Sequence, residues 1–284
     1  MHARRAFAAV GASGVAFSIL TSLACSSKVV GSTFGPVKGD ERTYGVSLSD
    51  GATAVTDARF DRLSPHDGVI LADMHFRAIY IGSPGVDVAP SADALLTWIG
   101  TSSYWSSLKQ YGVNDATYDG ATTLTTDQAF PAGLVTEGTI PFTVFDARVH
   151  ELVHGTDAAA PIVPQADGYL FFLPDGINID SGNVAGVDQV TCITSSDFHA
   201  NDGDDPYIVV PPCLTGRDSY AITHEMSEMA TDPVLQKGWF SDLPSDIKSG
   251  GEVADVCFEA VRHPSDGYAV AQLWSNADGD CMPK

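Results

Sequence analysis

Two short stretches of this chain place metal-binding groups one helical turn apart. The first is His150-Glu151-Leu152-Val153-His154, and the second is His224-Glu225-Met226-Ser227-Glu228. Each sets two donor side chains at i and i+4, on one face of a helix, with a glutamate directly after the first. A catalytic zinc ion requires that arrangement: two side chains converge on the metal, a third completes the set, and a neighbouring carboxylate takes a proton from water. On spelling alone the first stretch leads, because HExxH is the familiar zinc-hydrolase pattern.

The surroundings reverse that order. Phe145, Val149 and Leu152 form the apolar stripe of a short helix, and Gly155 is placed to end it. His154 then sits in the last turn, where free carbonyls and the helix dipole favour an imidazole. No further glutamate-bearing helix follows, and Asp157 stands where the extended metalloprotease pattern has glycine. In the second stretch Ile222, Met226 and Met229 make one stripe, while His224 and Glu228 share the opposite face. Packing of an apolar core does not account for that pair. Downstream, Gly251-Glu252-Val253-Ala254-Asp255-Val256-Cys257 offers two more carboxylates, one as third ligand and one to orient the site. Spacing leaves one alternative open: an exposed acidic helix with a satisfied histidine.

Other segments must position these groups. The second helix is predicted to begin near Asp218 or Ser219 and to stop before Pro233. Tyr207-Ile208-Val209-Val210 reads as a strand, as does the apolar run Tyr169–Leu173 closed by Pro174-Asp175-Gly176. Residues 70–81 end in β-branched residues and close at Gly82, a core strand. Ser91 is predicted to cap a helix carrying Leu95, Leu96 and Ile99. A second helical stretch through Tyr104, Trp105, Leu108 and Tyr111 ends at Gly112. Interleaved strands and helices predict an α/β or α+β domain with a mixed sheet over residues 56–284.

The chain start reads as an export signal. His2, Arg4 and Arg5 precede an apolar run from Ala6 to Leu20, followed by Ser22-Leu23-Ala24-Cys25. The run is too short to span a bilayer, which takes about 20 apolar residues. Residues 1–24 are therefore expected to be a lipoprotein-type signal peptide. Cys25 is the expected lipidation site, although Ser22 stands where leucine is favoured, and residues 25–55 are the tether. The expected location is extracytoplasmic, lipid-anchored to a bacterial membrane or secreted, with membrane contact only through Cys25. Removing Arg4 and Arg5 with the signal takes the formal charge from −21 to −23. Phosphates would be repelled, which excludes nucleic acid as a partner. Bound cations, or a solvated acidic surface, are compatible with such a charge. Cys192, Cys213, Cys257 and Cys281 remain, with no CxxC spacing that would suggest a thiolate zinc site. Of three possible pairings, Cys192–Cys213 and Cys257–Cys281 each close a modest loop and are the expected disulfides.

The stretch Thr223 to Pro233, then Gly238-Trp239, then Glu252 to Cys257, resembles the secreted exordium-like (phosphate-induced protein) family and its bacterial relatives. Ile79-Tyr80-Ile81-Gly82, Tyr104-Trp105, Leu108 to Val113, Phe172 to Gly176, Phe198-His199 and Val210-Pro211-Pro212-Cys213 fit the same order. The resemblance spans roughly residues 70–260 and is most specific in its HExxE and ExxD portions. It implies a secreted protein with the site on His224, Glu225, Glu228, Glu252 and Asp255, and a plain helix at 150–154. His199 is a weaker addition to that site, and the favoured expectation for it is a surface-loop histidine. Asp232 either orients the site or ends the helix.

The resulting expectation is a zinc-dependent hydrolase, foremost a peptidase, with a zincin-like placement of the motif helix. His224, Glu228 and either Glu252 or Asp255 bind zinc, and Glu225 is the catalytic base. The substrate is unnamed, a peptide or wall polymer. The alternative is a non-catalytic envelope protein that binds a structural cation or a wall polymer. Calcium is a lesser expectation than zinc: Asp202, Asp204, Asp205, Asp278 and Asp280 lie in oxygen-rich turns without a full EF-hand pattern.

Overall fold

The computed structural model describes residues 62–82, 89–155, 163–184, 187–193, 197–213, 219–243, 246, 250–257, 261–262 and 268–283. The expected signal peptide, Cys25 and the expected tether over residues 25–55 fall outside the described residues. The strands are β1 (Ser64–Pro65), β2 (Asp73–Ile81), β3 (Asp115–Leu124), β4 (Thr139–Pro141), β5 (Gly168–Phe172), β6 (Asn178–Val184), β7 (Val187–Val190), β8 (Phe198–Asp202), β9 (Asp205–Val210), β10 (Trp239–Phe240), β11 (Val261–Arg262), β12 (Val270–Ala271), β13 (Leu273–Ser275) and β14 (Asp280–Met282). The α-helices are α1 (Ala89–Ile99), α2 (Thr126–Ala129), α3 (Phe142–His154) and α4 (Ser219–Thr231). Two 3-10 helices cover Trp105–Tyr111 and Asp255–Cys257.

The central sheet has the order β3-β2-β5-β9-β8. Its first four strands are parallel, and β8 closes one edge antiparallel to β9. With helices beside parallel and antiparallel strands, the class is α+β. Strand alternation sorts side chains into two cores. Phe76, Ala78, Tyr80, Leu170, Phe172, Ile208 and Val210 face one way. Ile79, Ile81, Tyr169, Phe171, Tyr207 and Val209 face the other. A sheet covered on both faces needs apolar side chains in every register, which explains the unbroken run Tyr169–Phe172.

The helix α4 covers the first face through Ile222, Met226, Met229 and Ala230. On the second face lies α3, packed through Phe145, Val149, Leu152 and Val153. The two His-Glu helices therefore sit on opposite sides of one sheet. Gly155, left-handed at φ 65°, ends α3 with its N–H on the Glu151 carbonyl. A different solution serves α4, whose sequence is rich in small polar residues. Ser227 Oγ donates to the Thr223 carbonyl at 2.7 Å, and Thr231 Oγ1 donates to that of Ser227 at 2.9 Å. With those hydroxyls satisfied on the helix itself, α4 can be buried nearly all round. Gly168, at the start of β5, gives it room: a Cβ there would lie 2.8 Å from Met229 Cε.

Two local expectations shift. Ser91 lies inside α1 rather than at its cap, because a proline is accommodated in a first turn and the helix opens at Ala89-Pro90. The stretch over Trp105–Tyr111 is a 3-10 helix, ended as expected by left-handed Gly112. Both disulfides are present, Cys192–Cys213 and Cys257–Cys281, with Cα separations of 5.4 and 5.8 Å.

Candidate metal centre

Three segments converge under the sheet edge. In β8, Phe198 and Ala200 belong to the second core, so the intervening His199 points the other way, toward α4. It is buried, 6% exposed, which corrects its expected place in a surface loop. The polar run from Asn201 to Asp205 hides the short strand before it; the alternation Phe198-His199-Ala200 is the signal that marks it. From α4 come His224, Glu225 and Glu228. The third segment, Gly250 to Cys257, carries Glu252 and Asp255. Val253 and Ala254 anchor it in the core, the Trp274 N–H donates to the Val253 carbonyl, and Cys257 is bridged to β14. Gly250 is required by contact as well as conformation. Its φ is +113°, and a Cβ would fall 1.6 Å from Asp255 Oδ2.

The six side chains form two overlapping sets. His224 Nε2 lies 3.1 Å from Glu228 Oε1 and 3.5 Å from Asp255 Oδ1. His199 Nδ1 lies 3.1 Å from Glu225 Oε2 and 3.6 Å from Glu228 Oε2, while its Nε2 is 3.1 Å from Glu252 Oε1. The Asp255 N–H donates to Glu228 Oε1. His199, Glu228 and Glu252 make one group of donor atoms within 4.8 Å of one another, and His224, Glu228 and Asp255 make a second. The expected choice between Glu252 and Asp255 is thus divided: Asp255 stands with His224, and Glu252 with His199.

Five buried atoms of this cluster have no hydrogen-bond partner: His199 Nε2, His224 Nδ1, Glu228 Oε2, Glu252 Oε1 and Asp255 Oδ2. A buried polar atom left unpaired costs about 1–3 kcal/mol, and more when charged. The protonation equilibria show the same tension. Burial and the nearby Asp255 carboxylate hold Glu228 well above the usual carboxylate range. Burial pushes Glu252 up to about 7. For His199 burial opposes the charge, but the Glu252 and Glu225 carboxylates outweigh it and raise the imidazole well above its ordinary value. His224 is raised in the same way against burial by Glu228 and Asp255. Each of these shifts reflects carboxylates crowded together out of water, an arrangement that a cation would relieve.

The first motif is arranged otherwise. His150 Nδ1 meets Asp202 Oδ2 at 2.6 Å, and His154 Nε2 meets Asp205 Oδ2 at 2.8 Å. Half of the His150 side chain is exposed. Glu151 is held by Arg148 at 2.5 Å, so the residue in the base position is already paired. His150, His154 and Asp202 also come within 4.8 Å of one another, but they are exposed or half-buried, and each histidine has its own carboxylate. Asp202 and Asp205 are therefore partners of α3 rather than free turn residues; even-numbered β8 positions face that side. Asp232 ends the helix: its carboxylate accepts the N–H groups of Gln236, Lys237 and Gly238.

No protein-family model, curated protein or solved structure matches this chain.

Proposed function

We propose that the protein is a zinc-dependent hydrolase working outside the cytoplasm, with His224, Glu228 and Asp255 as the metal's ligands. The observation that carries this reading is the convergence of buried His224, Glu228 and Asp255, whose ligand atoms lie within 4.8 Å of one another, in a cluster where five polar atoms lack a hydrogen-bond partner. The donors fit zinc: one imidazole and one carboxylate a helical turn apart on α4, and a second carboxylate from the 250–257 segment. Zinc in such a set supplies Lewis acidity, which acidifies water and polarises a carbonyl. Glu225 is the proton acceptor, its Oε2 held by His199 Nδ1 at 3.1 Å. The motif helix beneath the antiparallel edge of a mixed sheet supports a zincin-like arrangement, and with it a peptide substrate. The family resemblance along residues 70–260 supports the same residues. Glu225→Gln is expected to keep the metal and lose about 10²–10⁴-fold in hydrolytic rate, checked on a peptide library by mass spectrometry. Unchanged hydrolysis in that variant overturns the base assignment.

One observation favours a second reading, a cation held for structure alone. The donors are enclosed: His224, the most accessible, has a side chain only 12% exposed, and structural sites are the closed ones. Chelation that melts the fold, with no hydrolysis from the metal-loaded protein, selects this reading. Anchoring through Cys25 follows from the signal layout. Intact mass of the membrane fraction should show acyl chains on the mature N-terminus, and a soluble, unacylated protein refutes it.

A further inference from the structure

We infer that the cluster takes two divalent cations, sharing the Glu228 carboxylate, with His199 and Glu252 as the protein ligands of the second. This rests on the metal reading of His224, Glu228 and Asp255 given above and extends it.

The two oxygens of Glu228 face different donor sets. Oε1 lies toward His224 and the Asp255 N–H. Oε2 lies toward His199 at 3.6 Å and has no hydrogen-bond partner. A carboxylate so divided is placed to bridge two ions, which in two-metal hydrolases stand roughly 3.5–4 Å apart.

The orientation of His199 gives an independent reason. Its Nδ1 is bonded to Glu225 Oε2 at 3.1 Å. A carboxylate only accepts, so Nδ1 carries the hydrogen, and in the neutral ring Nε2 presents a lone pair. That lone pair faces Glu252 Oε1 at 3.1 Å. Two lone pairs at that distance repel unless a proton or a metal ion lies near both. A metal-bound histidine typically gives its other N–H to a carboxylate, which is the place Glu225 holds.

The test is titration of metal-stripped, folded protein with zinc alone, counted by native mass spectrometry. The wild type should bind about two equivalents, as two-metal hydrolases do. His199→Ala and Glu252→Gln should each bind about one, and Glu228→Ala none. With manganese, the wild type should give an exchange-coupled electron paramagnetic resonance spectrum, and Glu252→Gln an uncoupled one. Glu252→Gln keeps the side-chain volume, so it decides the matter if His199→Ala does not fold. One equivalent in the wild type, unchanged in both variants, overturns the second site and leaves the single-metal reading intact. No zinc bound by the wild type overturns both. One equivalent that His199→Ala abolishes also overturns the shared site and moves the lone ion to His199 and Glu252.

Discussion

Helices α3 and α4 each present a His-Glu pair to the same strand hairpin from opposite sides of the sheet. On the α3 side the charges close in twos: His150 with Asp202, His154 with Asp205, Arg148 with Glu151. Each of those pairs has one side chain between 38% and 49% exposed, and none of their atoms is buried without a partner. On the α4 side six titratable groups share one enclosed space, four acidic and two basic, and five of their atoms are unpaired. The motif spelled more like a zinc site is thus the one whose donors are already used. What distinguishes the other is demand: buried polar atoms left without a hydrogen-bond partner, beside groups of donor atoms within 4.8 Å that could hold a cation. Strand β8 makes the contrast directly, sending His199 to one face and Asp202 to the other.

The largest expected effect tests that contrast. Glu228→Ala or His224→Ala should abolish zinc binding at His224, because a three-ligand site cannot lose a ligand and keep its affinity. His150→Ala combined with His154→Ala should leave the zinc content of the protein unchanged. Metal analysis of the purified variants decides it. A metal-free double histidine variant would transfer the site to α3 and reverse the comparison.

A smaller effect is expected from the bridge that braces one side only. Cys257 lies two residues beyond Asp255 and ties it to β14, whereas Cys192–Cys213 spans the base of the hairpin that serves both faces. Cys257→Ser with Cys281→Ser should lower stability by about 2–5 kcal/mol, the usual cost of losing a native bridge. It should also weaken metal binding without changing the α3 pairs. Denaturant melts and zinc titration measure the two effects separately. Loss of stability with full metal affinity would mean that Val253, Ala254 and Gly250 alone hold Asp255 in place.

How far the sequence reveals this site follows from how local each part is. The i, i+4 pair His224 and Glu228 is local, and so is the break at Asp232-Pro233. Both are legible from spacing, as are the buried strands Tyr169–Phe172 and Tyr207–Val210, where apolar runs leave little choice. The disulfides are legible because each joins cysteines fewer than 25 residues apart. His199 is not legible in the same way. Its strand is only five residues long, its neighbours Asn201 and Asp202 are polar, and its partners lie 26 residues or more away in sequence. The division of Glu252 from Asp255 is also non-local, since it depends on the path of the Gly250-Gly251 turn. The opposed stripes of α4 are visible in its sequence, but burial of both is not: β8 and the 250–257 segment cover the polar one.

The smallest effect is expected where the comparison assigns the least energy. Asp202→Asn removes the charge that meets His150, a pair at 2.6 Å whose histidine is half exposed and whose aspartate side chain is 21% exposed. An ion pair so open to water gains little Coulomb energy, and such pairs contribute about 0–1 kcal/mol. Asparagine keeps an oxygen that can still accept from the imidazole, so part of the interaction survives. In a domain of this size the melting temperature should fall by no more than about 2–4 °C, with zinc content unchanged. Glu252→Gln makes a similar exchange of acid for amide inside the α4 cluster, and there it should cost a metal ion. A shift larger than this for Asp202→Asn, or any loss of zinc, would mean that the α3 side carries a demand its paired geometry conceals.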